Sequence, residues 1–319
     1  MLTFERIQDN IDLIKENRRR TNIINSLTIS NDTRTKFVLI DANYPFDDID
    51  QLHETLGSAK RTLLFSHFHL DHTAHAFYHQ KKYNVPIYIP IQEKDYLTDL
   101  NKLMEVVGIS DLNIEESYKI LVKKYMKFQE CPTVNTYIPG RDNFEIGDIV
   151  IKSLHIPGHS PGHTAFQIEN NHRDKGILYV SDIGSHPYYG DFNSDLDQYK
   201  KSIDYLEQIY LSGEYILIPA HGTIYREKDE NFFNRIRKRI NKNREKVLKA
   251  LSRKKAKTLK EMVEERIITP KERVFEPIRG MYFLWDGGII YQHLKELEKE
   301  NRVLRTEGTN FLTQKFKLI

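Results

Sequence analysis

The chain has 319 residues, 39% of them hydrophobic and 29% charged, which is enough for a sizeable core and typical of a globular protein. Its one cysteine, Cys131, excludes an intrachain disulfide and fits a reducing compartment. The net charge of +3 is unevenly placed: residues 226–319 carry 25 Lys+Arg against 14 Asp+Glu, and residues 1–225 carry 23 against 31. A basic segment of this kind fits either a solvated helical surface or a nucleic-acid contact.

In chain order, the N-terminal MLTFERIQDNIDLIKENRRR is charged throughout and has no apolar signal segment. No apolar run is long enough to span a bilayer, so the expectation is a cytoplasmic protein with no membrane partner. Short apolar, β-rich runs follow at 37–41, 61–67, 85–90, 148–156, 176–182 and 215–221. Helical spacing occupies 48–58, 72–83, about 92–108, 114–128 and 197–212. Strands alternating with helices predict a layered α/β domain over 1–228, its strands covered on both faces. Residues 91–131 read as a helical hairpin inserted into it, either a packing pair or a lid. From about 229 the pattern becomes helical, at 232–252, 258–267 and 281–304, with Gly287 and Gly288 as points of interruption and a β-like tail after them. Three small helices and a terminal hairpin predict a basic winged-helix-like domain over 229–319.

The strand ends carry the chemistry. Four runs end at Asp41, His67, Asp182 and His221, and a fifth runs straight into PGHSPGH (157–163). In open α/β sheets ligands bind beyond the carboxyl ends of strands. The stretch SHFHLDHTAHAFYH (66–79) places His67 and His69 at a spacing of two, where extended chain points both imidazoles the same way. Asp71 and His72 follow where the chain turns into a helix, which lets them face a second centre. Four potential ligands within six positions exceed what one ion takes from a short loop, so two ions are expected. LHIPGHSPGH adds His159, YVSDIG adds Asp182 as a carboxylate able to bridge, and IPAHG adds His221.

Taken in order, HxHxDH (67–72), PGH (157–159), SD (181–182) and AHG (220–222) resemble the metallo-β-lactamase superfamily over roughly residues 20–225. The resemblance implies an αβ/βα sandwich with two metal ions in its cleft. By position, His67, His69 and His159 would bind the first, Asp71, His72 and His221 the second, and Asp182 would bridge. Five imidazoles and two carboxylates without a thiolate suit two Zn²⁺, with iron or manganese as the alternatives the family also uses. The implied reaction is hydrolysis by a hydroxide bridging the two ions, with Asp71 and Asp182 as the catalytic carboxylates. The family does not require His75 and His79, which read as ordinary helix residues. His163 reads as orienting a ligand or lining the cleft. Asp41 stands in Asp-Ala-Asn where the family often has Asp-Thr-Gly, so it is a candidate to support a ligand without the tight glycine turn. Tyr188 and Tyr189 are candidates to meet substrate or simply to pack.

The segment after 230 resembles the small winged-helix-like domain appended to one branch of the superfamily, which includes an endoribonuclease and acyl-hydrolase relatives. Two substrates follow. A small-molecule thioester or ester, the preferred reading, predicts a closed pocket formed by residues 91–131 and the C-terminal domain. Single-stranded RNA predicts an open basic groove, with Arg235, Arg237, Lys238, Arg239, Lys242 and Arg244 on phosphates. Ring opening of lactones or β-lactams, and sulfur oxidation at one iron, are the further alternatives.

Overall fold

The computed structural model describes residues 1–16, 24–170, 175–306, 308 and 312–319. A first sheet is built from β1 (Leu2–Gln8), β2 (Ile11–Glu16), β3 (Ser26–Ser30), β4 (Lys36–Ile40), β5 (Lys60–Leu64), β6 (Ile87–Pro90) and β7 (Asn135–Tyr137), in that spatial order. β1 to β4 are antiparallel neighbours and β4 to β7 are parallel. A second sheet takes β8 (Asn143–Ile146), β9 (Ile149–His155), β10 (Thr164–Asn170), β11 (Gly176–Ser181) and β12 (Tyr215–Pro219), in the order β12-β11-β10-β9-β8. Only β11 and β12 run parallel there, so the carboxyl ends of β9, β11 and β12 share one edge.

Side-chain alternation assigns the layers. Phe166, Ile168, Ile177, Tyr179, Ile216 and Ile218 turn inward and join the core of the first sheet. One residue along each strand, Ala165, Leu178, Val180 and Leu217 turn outward and pack under two long helices. The first sheet is covered by α1 (Phe46–Leu56) and, after the short α2 (Leu70–Thr73), by α3 (Ala76–Tyr83), through Ile49, Leu52 and Phe77. This is the helix–sheet–sheet–helix sandwich.

The insert departs from the expected hairpin. It is a chain of short helices, α4 (Lys94–Thr98), α5 (Leu100–Val106), α6 (Ile109–Leu112) and α7 (Glu115–Lys119), ending in a π-helical stretch Ile120–Tyr125. The breaks have local causes. Asp99 is extended and caps α5 by accepting from the Asn101 and Lys102 amides, while Gly108 and Asn113 adopt left-handed backbone.

On the outer face of the second sheet lie α8 (Leu196–Ser212) and α9 (Phe232–Ala250). Phe232, Phe233, Ile236 and Ile240 of α9 pack with Tyr199, Ile203 and Leu206 of α8. Further along the same helix, Val247 and Leu251 join a separate core with α10 (Leu259–Glu264), α11 (Met281–Lys299) and an antiparallel sheet of β13 (Lys257–Thr258), β14 (Val303–Arg305) and β15 (Lys315–Leu318). α11 runs unbroken through Gly287 and Gly288, contrary to the expected interruption. A Cβ on Gly288 would stand 1.6 Å from the Gly190 carbonyl oxygen, so that glycine serves a close approach rather than a break. No described helix is long and apolar enough to cross a membrane.

Candidate metal centre

The strand ends deliver the site. After β5 the chain leaves as Ser66-His67-Phe68-His69 and enters α2, whose first turn carries Asp71 and His72. β9 runs into Pro157-Gly158-His159, β11 into Asp182, and β12 into Ala220-His221. Gly158 has a φ of 121°, and a Cβ there would lie 2.2 Å from the Tyr199 backbone nitrogen, so only glycine lets the His159 turn press against the start of α8.

Two groups of ligand atoms result. Those of His67, His69, His159 and Asp182 all lie within 4.8 Å of one another, as do those of Asp71, His72, Asp182 and His221. Asp182 belongs to both. Its Oδ2 is 3.4 Å from His159 Nε2, and its Oδ1 is 3.0 Å from His72 Nε2 and 3.6 Å from His221 Nε2.

The atoms behind the ligands fix which nitrogen faces inward. His159 Nδ1 donates to the Tyr188 carbonyl at 2.8 Å. His72 Nδ1 donates to Asp41 Oδ2 at 2.9 Å, and His69 Nε2 to Asp191 Oδ2 at 2.6 Å. The Ser66 hydroxyl donates to Asp41 Oδ2 at 2.6 Å and so accepts from His67 Nδ1 at 3.0 Å. The Nε2 lone pairs of His67 and His159 therefore face each other at 3.1 Å with no proton to share. His72 Nε2 and Asp182 Oδ1 are buried facing each other at 3.0 Å, and neither completes a hydrogen bond. Opposed lone pairs and orphaned buried acceptors are costly unless a cation sits among them, so these donors fit divalent metals.

Electrostatics agree. Burial, reinforced by His72 and His69, holds His67 well below the ordinary imidazole range. Burial and His69 bring His159 down to about 4. Burial also acts on His72, but Asp182, Asp41 and Asp71 outweigh it and raise that imidazole. His69 is raised by Asp191, and His221 by Asp182 and Asp71, each against burial. Asp71, despite burial, is held at about 2 by His72 and His221. Two anionic carboxylates amid imidazoles make a site that attracts cations.

Asp41 buttresses the centre, since its carboxylate also accepts the Ser66 amide (2.8 Å) and the Tyr179 hydroxyl (2.8 Å). His163 is buried beside the clusters, and its Nε2 accepts the Asp182 amide at 3.3 Å. Tyr188 supplies the carbonyl that orients His159, and its hydroxyl donates to Asp191 Oδ1 at 2.5 Å. Tyr189 lies elsewhere. Its ring packs in the helix layer, its hydroxyl meets His293 at 3.0 Å and Asn243 at 3.3 Å, and it is not among the residues that line the cleft. His75 and His79 stand outside both clusters, bonded to the Tyr44 and Ala42 carbonyls. The basic residues of α9 do not form one array. Arg235 pairs with Asp229, Arg237 with Asp204 and Glu207, and Arg244 with Glu300, whereas Lys238, Arg239 and Lys242 form no ion pair among the described residues.

Sequence reasoning missed two residues. Asp191 sits in YYGDF, just beyond the SD motif. Glu93 ends VPIYIPIQE and is fully buried; its Oε1 accepts from Ser160 Oγ (2.5 Å) and the Gly162 amide (2.7 Å), which clamps the turn after His159. Burial pushes the Glu93 carboxyl up to about 7.

A cleft of about 1050 Å³ opens over the two clusters. Asp71, His159, Asp182 and His221 lie at its base. Leu103, Val107, Tyr118 and Leu121 of the insert form one wall, and Ile278, Met281, Leu284 and Trp285 of the C-terminal segment form another. Arg239, Lys246 and Arg273 add cations to the lining.

Known proteins share this fold. The sequence profile of the metallo-beta-lactamase superfamily matches residues 21–221. The hydroxyacylglutathione hydrolase GloC of Haemophilus influenzae is 24% identical over 215 residues, covering 63% of this chain and 89% of that protein. In fold, a beta-lactamase domain protein from Burkholderia ambifaria aligns with a TM-score of 0.71 at 16% identity, covering 99% of this chain and 93% of the other. A metallo-beta-lactamase family protein from Thermus thermophilus also gives 0.71 at 16% identity, covering 98% and 100%. The order of the ligand motifs, the sandwich that gathers them and the profile match over most of the chain agree: this protein belongs to the metallo-β-lactamase superfamily and is a metal-dependent hydrolase.

Proposed function

We propose that this protein hydrolyses a small-molecule thioester, using two divalent cations held by His67, His69, His159 and Asp182 and by Asp71, His72, His221 and Asp182. The observation that carries the reading is the cleft. Its base is the paired ligand clusters, and its walls are apolar side chains from the insert and the C-terminal segment. Such a concave, largely apolar chamber suits an acyl group rather than a polyanionic strand. Zinc suits the donor set of five imidazoles and two carboxylates. The relative from Haemophilus influenzae is named for a thioester hydrolase, which supports the same class.

When bound, such a metal pair polarises an acyl oxygen and lowers the pKa of water toward ~7. The chain does the rest by position. Asp182 is held by the His163 contact at its amide and presents one oxygen to each cluster. Asp71 is the more open carboxylate, with 34% of its side chain exposed against 13% for Asp182, and is placed to meet water or a departing group. The apolar walls would surround the acyl half. A thiol leaves as thiolate, with a pKa of about 8.5, and needs no proton donor. An alkoxide or amide nitrogen does need one, and the phenol that lines the cleft beside His69 and His159, Tyr188, already gives its proton to Asp191. This favours thioesters over ring-opened amides. Two complete clusters sharing Asp182 also favour a metal pair over a single iron. RNA is disfavoured because three of the six basic residues expected on its phosphates, Arg235, Arg237 and Arg244, are spent on intramolecular ion pairs, which leaves only the short stretch Lys238 to Lys242 free of them among the described residues.

The test is metal content followed by assay of the same preparation on thioesters, alkyl esters and single-stranded RNA, with a chelator control. Two equivalents of metal, thioester turnover blocked by chelator and inert RNA are expected. RNA cleavage with inert thioesters would overturn the reading.

A further inference from the structure

A second, smaller cavity of about 330 Å³ adjoins the cleft along α9. The two share Ser185 and Arg239 in their linings. The smaller one is lined by Tyr225, Phe232, Lys238 and Lys242 as well, and Lys246 stands on the cleft side. Residues 235, 238, 239, 242 and 246 follow helical spacing, so these cations form a stripe on one face. From Lys238 to Lys246 the stripe spans about 12 Å at the rise of an α-helix.

The partners of these residues separate them from an ordinary solvated face. Arg235 is taken by Asp229 and leans on the Tyr225 ring at 5.7 Å. Lys238, Arg239 and Lys242 form no ion pair among the described residues, although acidic partners are used freely by their neighbours Arg237 and Arg244. The cations also crowd one another. Lys246 is drawn below its ordinary value by burial and then by Arg239 and Lys242. Tyr225 gives the cavity an aromatic edge, with the buried Phe232 ring behind it at a centroid distance of 5.2 Å. Unpaired cations beside an aromatic surface suit phosphates attached to a nucleobase. A stripe this short holds two or three phosphates, not the backbone of an extended strand.

We propose that this cavity holds the phosphorylated, nucleotide-bearing end of the thiol half of the substrate, whose acyl half occupies the adjoining cleft. The proposal rests on the thioester reading and narrows it to acyl groups carried on a phosphorylated thiol cofactor. In the reaction, the oxygen of water bonds to the acyl carbon and the carbon–sulfur bond breaks. Sulfur departs with the electron pair, and the products are a carboxylate, a thiol and one proton.

The experiment compares one butyryl group carried on coenzyme A and on N-acetylcysteamine, using the metal-loaded full chain. A charge-assisted contact is worth on the order of tenfold, so the coenzyme A thioester is expected to show ~10–100-fold higher kcat/KM, expressed in KM and eroded by salt. The double variant Lys238→Ala, Lys242→Ala, checked for unchanged metal content and melting midpoint, is expected to bring the ratio toward unity. Equal kcat/KM on the two carriers would overturn the proposal. So would a ratio untouched in the double variant, faster turnover of a glutathione thioester, or RNA cleavage that depends on the same lysines. If neither thioester is hydrolysed, the thioester reading falls, and titration with free coenzyme A decides the cavity by itself. Salt-sensitive binding weakened in the double variant sustains the phosphate site, and no binding removes it.

Discussion

His69 can face the metal clusters with one nitrogen only because Asp191 holds the other, at 2.6 Å. Asp191 is itself fixed by the Tyr188 hydroxyl, and Tyr188 orients His159 through its carbonyl, so one turn of chain aims two of the three histidines in the first cluster. Replacing Asp191 by alanine removes that aim without touching a ligand. The expected result is a first cluster weakened ~10–100-fold for metal, with the cluster of Asp71, His72 and His221 retained. Competition against a chromophoric chelator resolves the two, and equal weakening of both would refute a role confined to His69. The residues gathered in the two clusters were legible in the sequence because they fall at strand ends within tight motifs. Asp191 and Glu93 were not. Asp191 lies more than a hundred residues from the His69 it serves, and Glu93 is a carboxylate in an apolar run whose partners, Ser160 and Gly162, are on another strand end. Only the closed fold joins them. Of the two readings offered for Tyr189, the structure places it in the packing one, and adjacency to Tyr188 could not tell them apart because it says nothing about which way a side chain turns in irregular chain.

At the scale of elements, the strands with continuous apolar runs were readable because both faces are covered. The N-terminal β1 was not. It is an edge strand that buries Leu2 and Ile7 and presents charged residues between them, which reads as polar chain. The insert kept its helical spacing in the sequence, but the turns at Asp99, Gly108 and Asn113 cut it into pieces. α11 shows the converse. Its glycine pair looks like a breaker, yet packing decides the outcome, since only a residue without a side chain lets α11 touch the loop at Gly190, next to Asp191. Gly288→Ala would place a methyl group into that carbonyl oxygen. The helix or the loop must shift, at a cost of about 1–3 kcal/mol as an overpacked contact. We expect a lower melting midpoint together with weaker metal binding in the first cluster, because the displaced loop carries Asp191. Differential scanning calorimetry and metal titration check this pair of effects. An alanine variant as stable as the natural chain would show that the contact relaxes freely.

At the scale of the whole molecule, the uneven charge finds its use across the junction between the acidic and basic segments. Arg237 of α9 reaches Asp204 at 2.6 Å and Glu207 at 2.5 Å on α8, and Lys299 of α11 reaches Asp197 at 2.5 Å. These surface pairs contribute little individually, about 0–1 kcal/mol. The apolar contribution is larger. Phe232, Phe233, Ile236 and Ile240 are buried against the second sheet's helix layer, and each such side chain is worth roughly 1.5–3 kcal/mol. Together they amount to about 6–12 kcal/mol, comparable to the ~5–15 kcal/mol net stability of a typical domain. A chain ending at Asp229 would lose all four, and the cleft would lose the wall formed by Ile278, Met281, Leu284 and Trp285. Such a truncation is therefore expected to lack a cooperative melting transition and to bind substoichiometric metal, even though every proposed ligand lies before residue 229. Near-ultraviolet circular dichroism with metal analysis distinguishes the outcomes. A truncated chain that melts cooperatively and holds two metals would mean that the sandwich stands alone and α9 merely leans on it.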